Sequence, residues 1–217
     1  QGGVLRTAVV ALDNRASATA AHSALSSSLG SAAPVLEIPE PFTVSSAGSG
    51  ECLYGAEGAA AALPLNNEPY TIEVDIKPDP SCTDGTLVSW GDIGSANDAL
   101  VLRLSSSSSL RTSWWGDEHD VAMPAGIDLY DGSWHNVRAM FDGATRSTYV
   151  DGVLAGAPKE GRRTDGAFSA NTDGFCVGKA TTVDDELKYA GEMRNLRVWA
   201  SGSAFPEATS LLGAAGV

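Results

Sequence analysis

The chain has 217 residues, with 27 Asp and Glu against 14 Lys and Arg, for a formal net charge of −13. That balance excludes a nucleic-acid backbone or an anionic membrane surface as partner, because both demand clustered Lys and Arg, and the only adjacent basic pair is Arg162 with Arg163. The length suits one all-β domain with a short appendage, and no run of about 20 apolar residues is present to span a membrane as a helix.

Residues 1–33 differ in composition from the rest of the chain. They are rich in Ala and Ser, lack aromatic side chains and carry few turn dipeptides. Val4–Leu12 reads as a short strand or helix and Ala16–Leu29 as a weak helix, so this segment is expected to be an extension or docking arm. The chain starts at Gln1, as expected of a processed or trimmed chain, and no signal peptide in it names the compartment. Pro34, Pro39 and Pro41 then break any helix and favour extended chain.

From Val35 onward the pattern is β. Thr71–Ile76 alternates strictly, with Ile72, Val74 and Ile76 on one face and Thr71, Glu73 and Asp75 on the other, as in a half-buried strand. Thr86–Trp90, Leu100–Leu104 and Leu110–Trp115 read as further strands, separated by loop compositions at 91–98 and 105–109. His135, Val137, Ala139 and Phe141 alternate next. Asp142-Gly143 turns into Arg146–Val150, and Asp151-Gly152 makes a tighter turn, since Asp-Gly supplies the positive φ such hairpins need. Gly174–Lys179 and Ala190–Ala200 supply the last strands. Many short strands between turn signals predict an all-β antiparallel sandwich over 34–205, with 206–217 as a tail.

Cys52, Cys82 and Cys176 form no CxxC, which argues against a structural zinc site. Two readings stand: a Cys52–Cys82 disulfide plus a free thiol in an oxidising compartment, both cysteines lying near predicted strand ends, or three reduced thiols acting as small apolar residues.

Five motifs occur in an order that resembles the laminin-G-like branch of the concanavalin A-like jelly rolls. They are YTIEVDIKP at 70–78, GTLVSWG at 85–91, DGSWHNV at 131–137 running into FDG at 141–143, YVDG at 149–152, and YAGEMRNLRVWA at 189–200. The resemblance covers roughly residues 45–200. It implies a two-sheet jelly-roll sandwich that recognises glycans or extracellular protein partners, hence an extracellular or organelle-lumen location. Trp134 is expected to cover one edge of the core, and the Asp-Gly pairs to fix hairpin register. In relatives an Asp of the final strand helps hold a structural calcium; here Arg194 and Asn195 stand at that place, which puts the usual site in doubt.

Candidate chemistry is sparse. Jelly-roll glycoside hydrolases carry a Glu-x-Asp-x-Glu strand whose carboxylates act as nucleophile and acid/base. Glu73 and Asp75 match the first two positions and share a strand face, but Lys77 and Pro78 replace the rest, so no catalysis is expected. Calcium needs six to eight hard oxygen ligands, and acidic loops offer Asp92, Asn97 and Asp98, then Asp117, Glu118 and Asp120, then Asp184, Asp185 and Glu186. Of these, Asp92, Asp98, Asp184 and Asp185 are the candidate calcium ligands; no other cofactor is expected.

The stretch 113–120 is the candidate ligand surface. Trp114 and Trp115, adjacent on a strand, face opposite ways, so one packs inward while the other is free to stack on a sugar or anchor a protein, beside Asp117, Glu118 and His119. His135, within a turn-and-strand motif, reads as a packed or hydrogen-bonded strand residue. The leading expectation is a non-catalytic recognition module for a glycan or protein partner. The alternatives are a structural subunit of a large complex docked through residues 1–33, and a degenerate glycoside hydrolase.

Overall fold

A computed structural model describes residues 8–10, 20–21, 36–38, 42–44, 51–53, 63–64, 67–91, 99–114, 116–161, 175–180 and 187–200. In chain order the strands are β1 (Ala8–Val10), β2 (Ala20–Ala21), β3 (Leu36–Ile38), β4 (Phe42–Val44), β5 (Glu51–Leu53), β6 (Tyr70–Pro78), β7 (Gly85–Gly91) and β8 (Ala99–Ser106). They continue as β9 (Ser109–Ser113), β10 (Glu118–Ala122), β11 (His135–Phe141), β12 (Thr145–Val150), β13 (Val153–Glu160), β14 (Phe175–Val177) and β15 (Gly191–Trp199).

Two sheets form. The larger runs β13-β12-β11-β6-β15-β3-β1-β2, with β4 also beside β15, and the smaller runs β10-β9-β8-β7-β14-β5. Pairing is antiparallel except between β1 and β3, which run parallel. Ala8–Val10 and Ala20–Ala21, within the segment expected to be an arm, are thus strands at one end of the larger sheet. Ala20–Ala21 falls inside the stretch expected to be helical; its backbone pairs with β1 instead.

The alternation in β6 is what builds the core. Tyr70, Ile72, Val74 and Ile76 point inward with Val137, Ala139 and Phe141 of β11 and Met193, Leu196 and Val198 of β15. Trp90, Leu100, Leu102, Leu104 and Leu110 meet them from the smaller sheet. Tyr70 lies edge-on to Trp90, with ring centroids 6.1 Å apart. Asp151 and Gly152 have φ of 50° and 78°, the two positive values of a two-residue hairpin loop, as the Asp-Gly pair predicts.

The cysteine pairing differs from expectation. Cys82 is free and buried, while Cys176 is disulfide-bonded. The chain has three cysteines, so the bond is to Cys52, which the β5–β14 register sets directly opposite Cys176. Cys82 instead accepts the Ala190 N–H at its sulfur, 3.2 Å away. Strand order decides this: β14 lies between β5 and β7, so the cysteine distant in sequence is the near one in space.

Candidate functional site

The outward face of the larger sheet gathers the polar side chains that the core alternation leaves over. Register sets them in rows. Tyr149, Arg138, Glu73 and Arg197 lie side by side across β12, β11, β6 and β15. Asn136, Asp75 and Arg194 form the next row, and Lys77 and Glu192 the one after, with Thr43 of β4 beyond. In the other direction the face closes, because Thr71 and Trp199 are buried.

These groups bond to one another. Asn136 Nδ2 donates to Glu73 Oε1 and to Asp75 Oδ1, both at 3.0 Å. Arg138 pairs with Glu73 Oε2 at 3.3 Å. Asp75 Oδ2 accepts from Arg194 Nε at 3.2 Å and Asn195 Nδ2 at 2.8 Å. That double approach needs an irregularity: register shifts between Arg194 and Arg197, and Asn195 takes a φ of 53°. The bulge turns two consecutive side chains toward one carboxylate, a re-aiming that bulges supply.

Trp134, just before β11, belongs to this face and not to the edge of the core as expected. It is half-buried, with Arg194 Cζ 4.2 Å from its ring centroid and Lys77 Nζ at 6.0 Å. Lys77 also lines a groove of about 540 Å³ whose walls include Thr43, Asp79, Ser81, Gly132 and Glu192. Lys77 and Glu192 are bonded at 2.7 Å on its wall. Lys77, Arg138, Arg194 and Arg197 stand here against Glu73, Asp75, Asp79 and Glu192, an even balance in a chain that is strongly acidic as a whole. Such a face can offer hydrogen bonds in both directions, a π surface and guanidinium groups.

Glu73 and Asp75 do share a strand face, as the alternation requires. The strands beside them supply Arg138 and Arg197 next to Glu73, and Asn136 and Arg194 next to Asp75. No facing carboxylate stands on either neighbouring strand at these rows, so the geometry of a retaining or inverting pair is not assembled there.

The stretch expected to be the ligand surface lies elsewhere. Trp114 is fully buried, stacks edge-on against Phe141 with centroids 4.8 Å apart, and donates from Nε1 to the Tyr70 hydroxyl at 3.2 Å. It cannot stack on a ligand at the surface, which corrects its assignment; Trp115 lies outside the described residues. Asp117 is a structural counter-ion. It pairs with Arg146, which is 1% exposed, at 2.7 Å, and with Lys159. Burial raises the Asp117 carboxyl, but the Lys159 and Arg146 contacts outweigh it and hold the group below its usual range.

Glu118 to Ala122 is a strand, not the loop its composition suggests, and alternation sends His119 inward while Glu118 and Asp120 stay exposed. His119 Nε2 lies 2.9 Å from the Ala157 carbonyl oxygen, and burial first of all lowers its pKa, so the neutral ring donates that bond. A neutral, inward ring on a backbone carbonyl is a packing residue. The candidate calcium ligands Asp92, Asp98, Asp184 and Asp185 lie outside the described residues; among the described residues no group of three or more His, Cys, Asp and Glu side chains is placed to hold a metal ion.

His135 is a bonded strand residue, as expected, and its partners come from two of the Asp-Gly turns. Its Nδ1 lies 2.8 Å from Asp151 Oδ2 and its Nε2 3.1 Å from Asp131 Oδ1.

This fold and its motifs define the class. The chain belongs to the laminin G family of the concanavalin A-like lectin/glucanases superfamily, whose model matches residues 55–202. It is similar to the CBM40 domain of the Ruminococcus gnavus IT-sialidase bound to α2,3-sialyllactose, at 18% identity and a TM-score of 0.59, covering 79% of this chain and 95% of that one. It is also similar to the NanB sialidase of Streptococcus pneumoniae (K499G mutant), at 12% identity and a TM-score of 0.59, over 82% of this chain but only 28% of that one. A leech intramolecular trans-sialidase aligns at 14% identity and a TM-score of 0.56, over 77% of this chain and 26% of that one. No curated protein matches. At these identities the structural likenesses establish the fold.

Proposed function

We propose that the chain is a non-catalytic recognition module that binds an acidic glycan on the outward face of its larger sheet. The observation that carries this is the approach of Lys77 and Arg194 to half-exposed Trp134, with Arg138 and Arg197 further along the same face beside Glu73, in a chain of net charge −13. A sugar ring stacks on an aromatic face, its hydroxyls bridge carboxylate and amide groups, and a sugar carboxylate suits a guanidinium. The sialyllactose bound by one structural relative supports a carboxylated sugar as first probe. Ion pairing of both strand carboxylates to cations supports recognition over hydrolysis. The Cys176 disulfide fits an oxidising compartment, extracellular or luminal.

Calorimetric titration with α2,3-sialyllactose and with lactose tests this. The wild-type chain is expected to bind the acidic sugar and not the neutral one. Arg194→Ala is expected to weaken binding at least about tenfold, as hydrogen bonds to charged groups are worth about 1.5–3 kcal/mol. Equal affinity for both sugars, or unchanged binding in the variant, overturns the proposal.

A further inference from the structure

We propose that His135, gripped between Asp131 and Asp151, is a proton-dependent clasp that holds Trp134 and Asn136 in place on the binding face and makes ligand binding fall as the solution turns alkaline. The inference rests on the reading of that face as the ligand site and adds its regulation.

The geometry requires a charged ring. A carboxylate only accepts, and both ring nitrogens of His135 face one, at 2.8 and 3.1 Å. Only the imidazolium has two N–H donors. A neutral ring can satisfy one aspartate and must turn a lone pair toward the other.

Both carboxylates are anchored, so neither can simply swing away. Asp131 Oδ1 also accepts the Ser133 N–H at 2.7 Å. Asp151 Oδ1 accepts the Asn136 N–H at 2.8 Å, and the Asp151 N–H donates to the Asn136 carbonyl oxygen at 2.8 Å. Together the two turns bracket residues 133–136, the stretch that carries Trp134 and Asn136 onto the face.

Among the described residues, the only charges acting on His135 are those of Asp151 and Asp131. Opposite His135 on β6 stands Ile76, with Met193 of β15 beyond it. Lys77, Asp75, Glu73, Arg138 and Arg194 project from the other side of the sheet. Burial opposes protonation of His135, yet its bonds to Asp151 and Asp131 outweigh that and raise its pKa above the ordinary value of 6.5. A raised histidine contributes fully below its unfolded value, and the contribution is lost as pH rises through the folded one. Hydrogen bonds from Ser133 and His135 lower Asp131, so the acid end of the window lies below the usual aspartate range.

The test is a pH titration of the isotope-labelled full chain by nuclear magnetic resonance, from about pH 5.5 to about pH 8.5, which spans the ordinary histidine value. The Trp134 indole and Asn136 side-chain amide resonances are expected to move with the same midpoint as the His135 ring, above 6.5. Affinity for α2,3-sialyllactose is expected to drop at least about threefold across that midpoint, as the competent fraction falls. His135→Gln should flatten both curves. Asp131→Asn, a change at an exposed turn that spares the fold, should move the midpoint down. A midpoint at or below 6.5, still resonances while His135 titrates, or pH dependence that survives in both variants, overturns the clasp. If the sugar fails to bind at any pH, the glycan reading fails, and the two resonances still decide whether the clasp exists.

Discussion

Trp114→Ala removes one of the largest fully buried side chains, at a point where three independent contacts meet. The indole is 0% exposed, lies edge-on to Phe141 at 4.8 Å, and has the Arg146 guanidinium 4.0 Å from its ring centroid. Its N–H reaches the Tyr70 hydroxyl. Large-to-small changes of this kind cost about 3–5 kcal/mol, from lost transfer energy plus the cavity left behind. The upper half of that range is expected here, because the aromatic pair adds about 0.5–1.5 kcal/mol beyond its area and truncation also strips the stacking surface from a buried guanidinium. That is a large share of the stability of an ordinary domain, about 5–15 kcal/mol. Urea unfolding of Trp114→Ala beside the wild type reads the loss, with Glu118→Ala as the comparison. The exposed Glu118 side chain should matter by less than about 0.5 kcal/mol, since Lys159 bonds only its backbone oxygen. A loss below about 1 kcal/mol for Trp114→Ala, or lost ligand binding with stability intact, would refute the assignment of Trp114 to the core.

Asp117→Ala leaves Arg146 buried without its carboxylate and should cost about 3 kcal/mol in the same unfolding assay. Because Asp117 lies below its usual range, its contribution is present above the unfolded value and fades as pH falls through the folded one; stability measured toward acid should therefore decline less steeply in the variant. Cys176→Ser opens a loop of roughly 120 residues, which the chain-entropy account values at about 5 kcal/mol, so a clear drop in Tm is expected. Reductant should lower the wild-type Tm in the same direction, and a Tm unmoved by either would contradict the Cys52–Cys176 pairing.

What could be read from the sequence was local. The Ile72, Val74, Ile76 alternation and the Asp-Gly turns announce themselves within a few residues, and the structure uses them as expected. Strand β10 was hidden because Asp117, Glu118, His119 and Asp120 look like a loop tip; only the inward pair His119 and Val121 betrays it. Strand β13 was hidden by Gly156 and Pro158, residues that strands usually avoid. The proposed binding face was missed for a different reason. Asn136, Arg138, Asp75 and Arg194 sit on three strands and meet only through register, which no local pattern supplies. The same holds for Cys52 and Cys176, and for the positive φ of Asn195 that aims it at Asp75. Period-two alternation applied to β11 would have placed Asn136 and Arg138 outward; their partners across the sheet would still have needed the topology.

The most direct test of the central claim is to titrate the isotope-labelled chain with α2,3-sialyllactose and map the resonances that move. The account predicts shifts at the Trp134 indole, the Asn136 amide and the Arg138 and Arg194 guanidinium groups, with residues 117–122 unmoved. Shifts centred on Asp117, Glu118 and His119, or none up to millimolar sugar, a Kd at which binding is worth only about 4 kcal/mol, would contradict it.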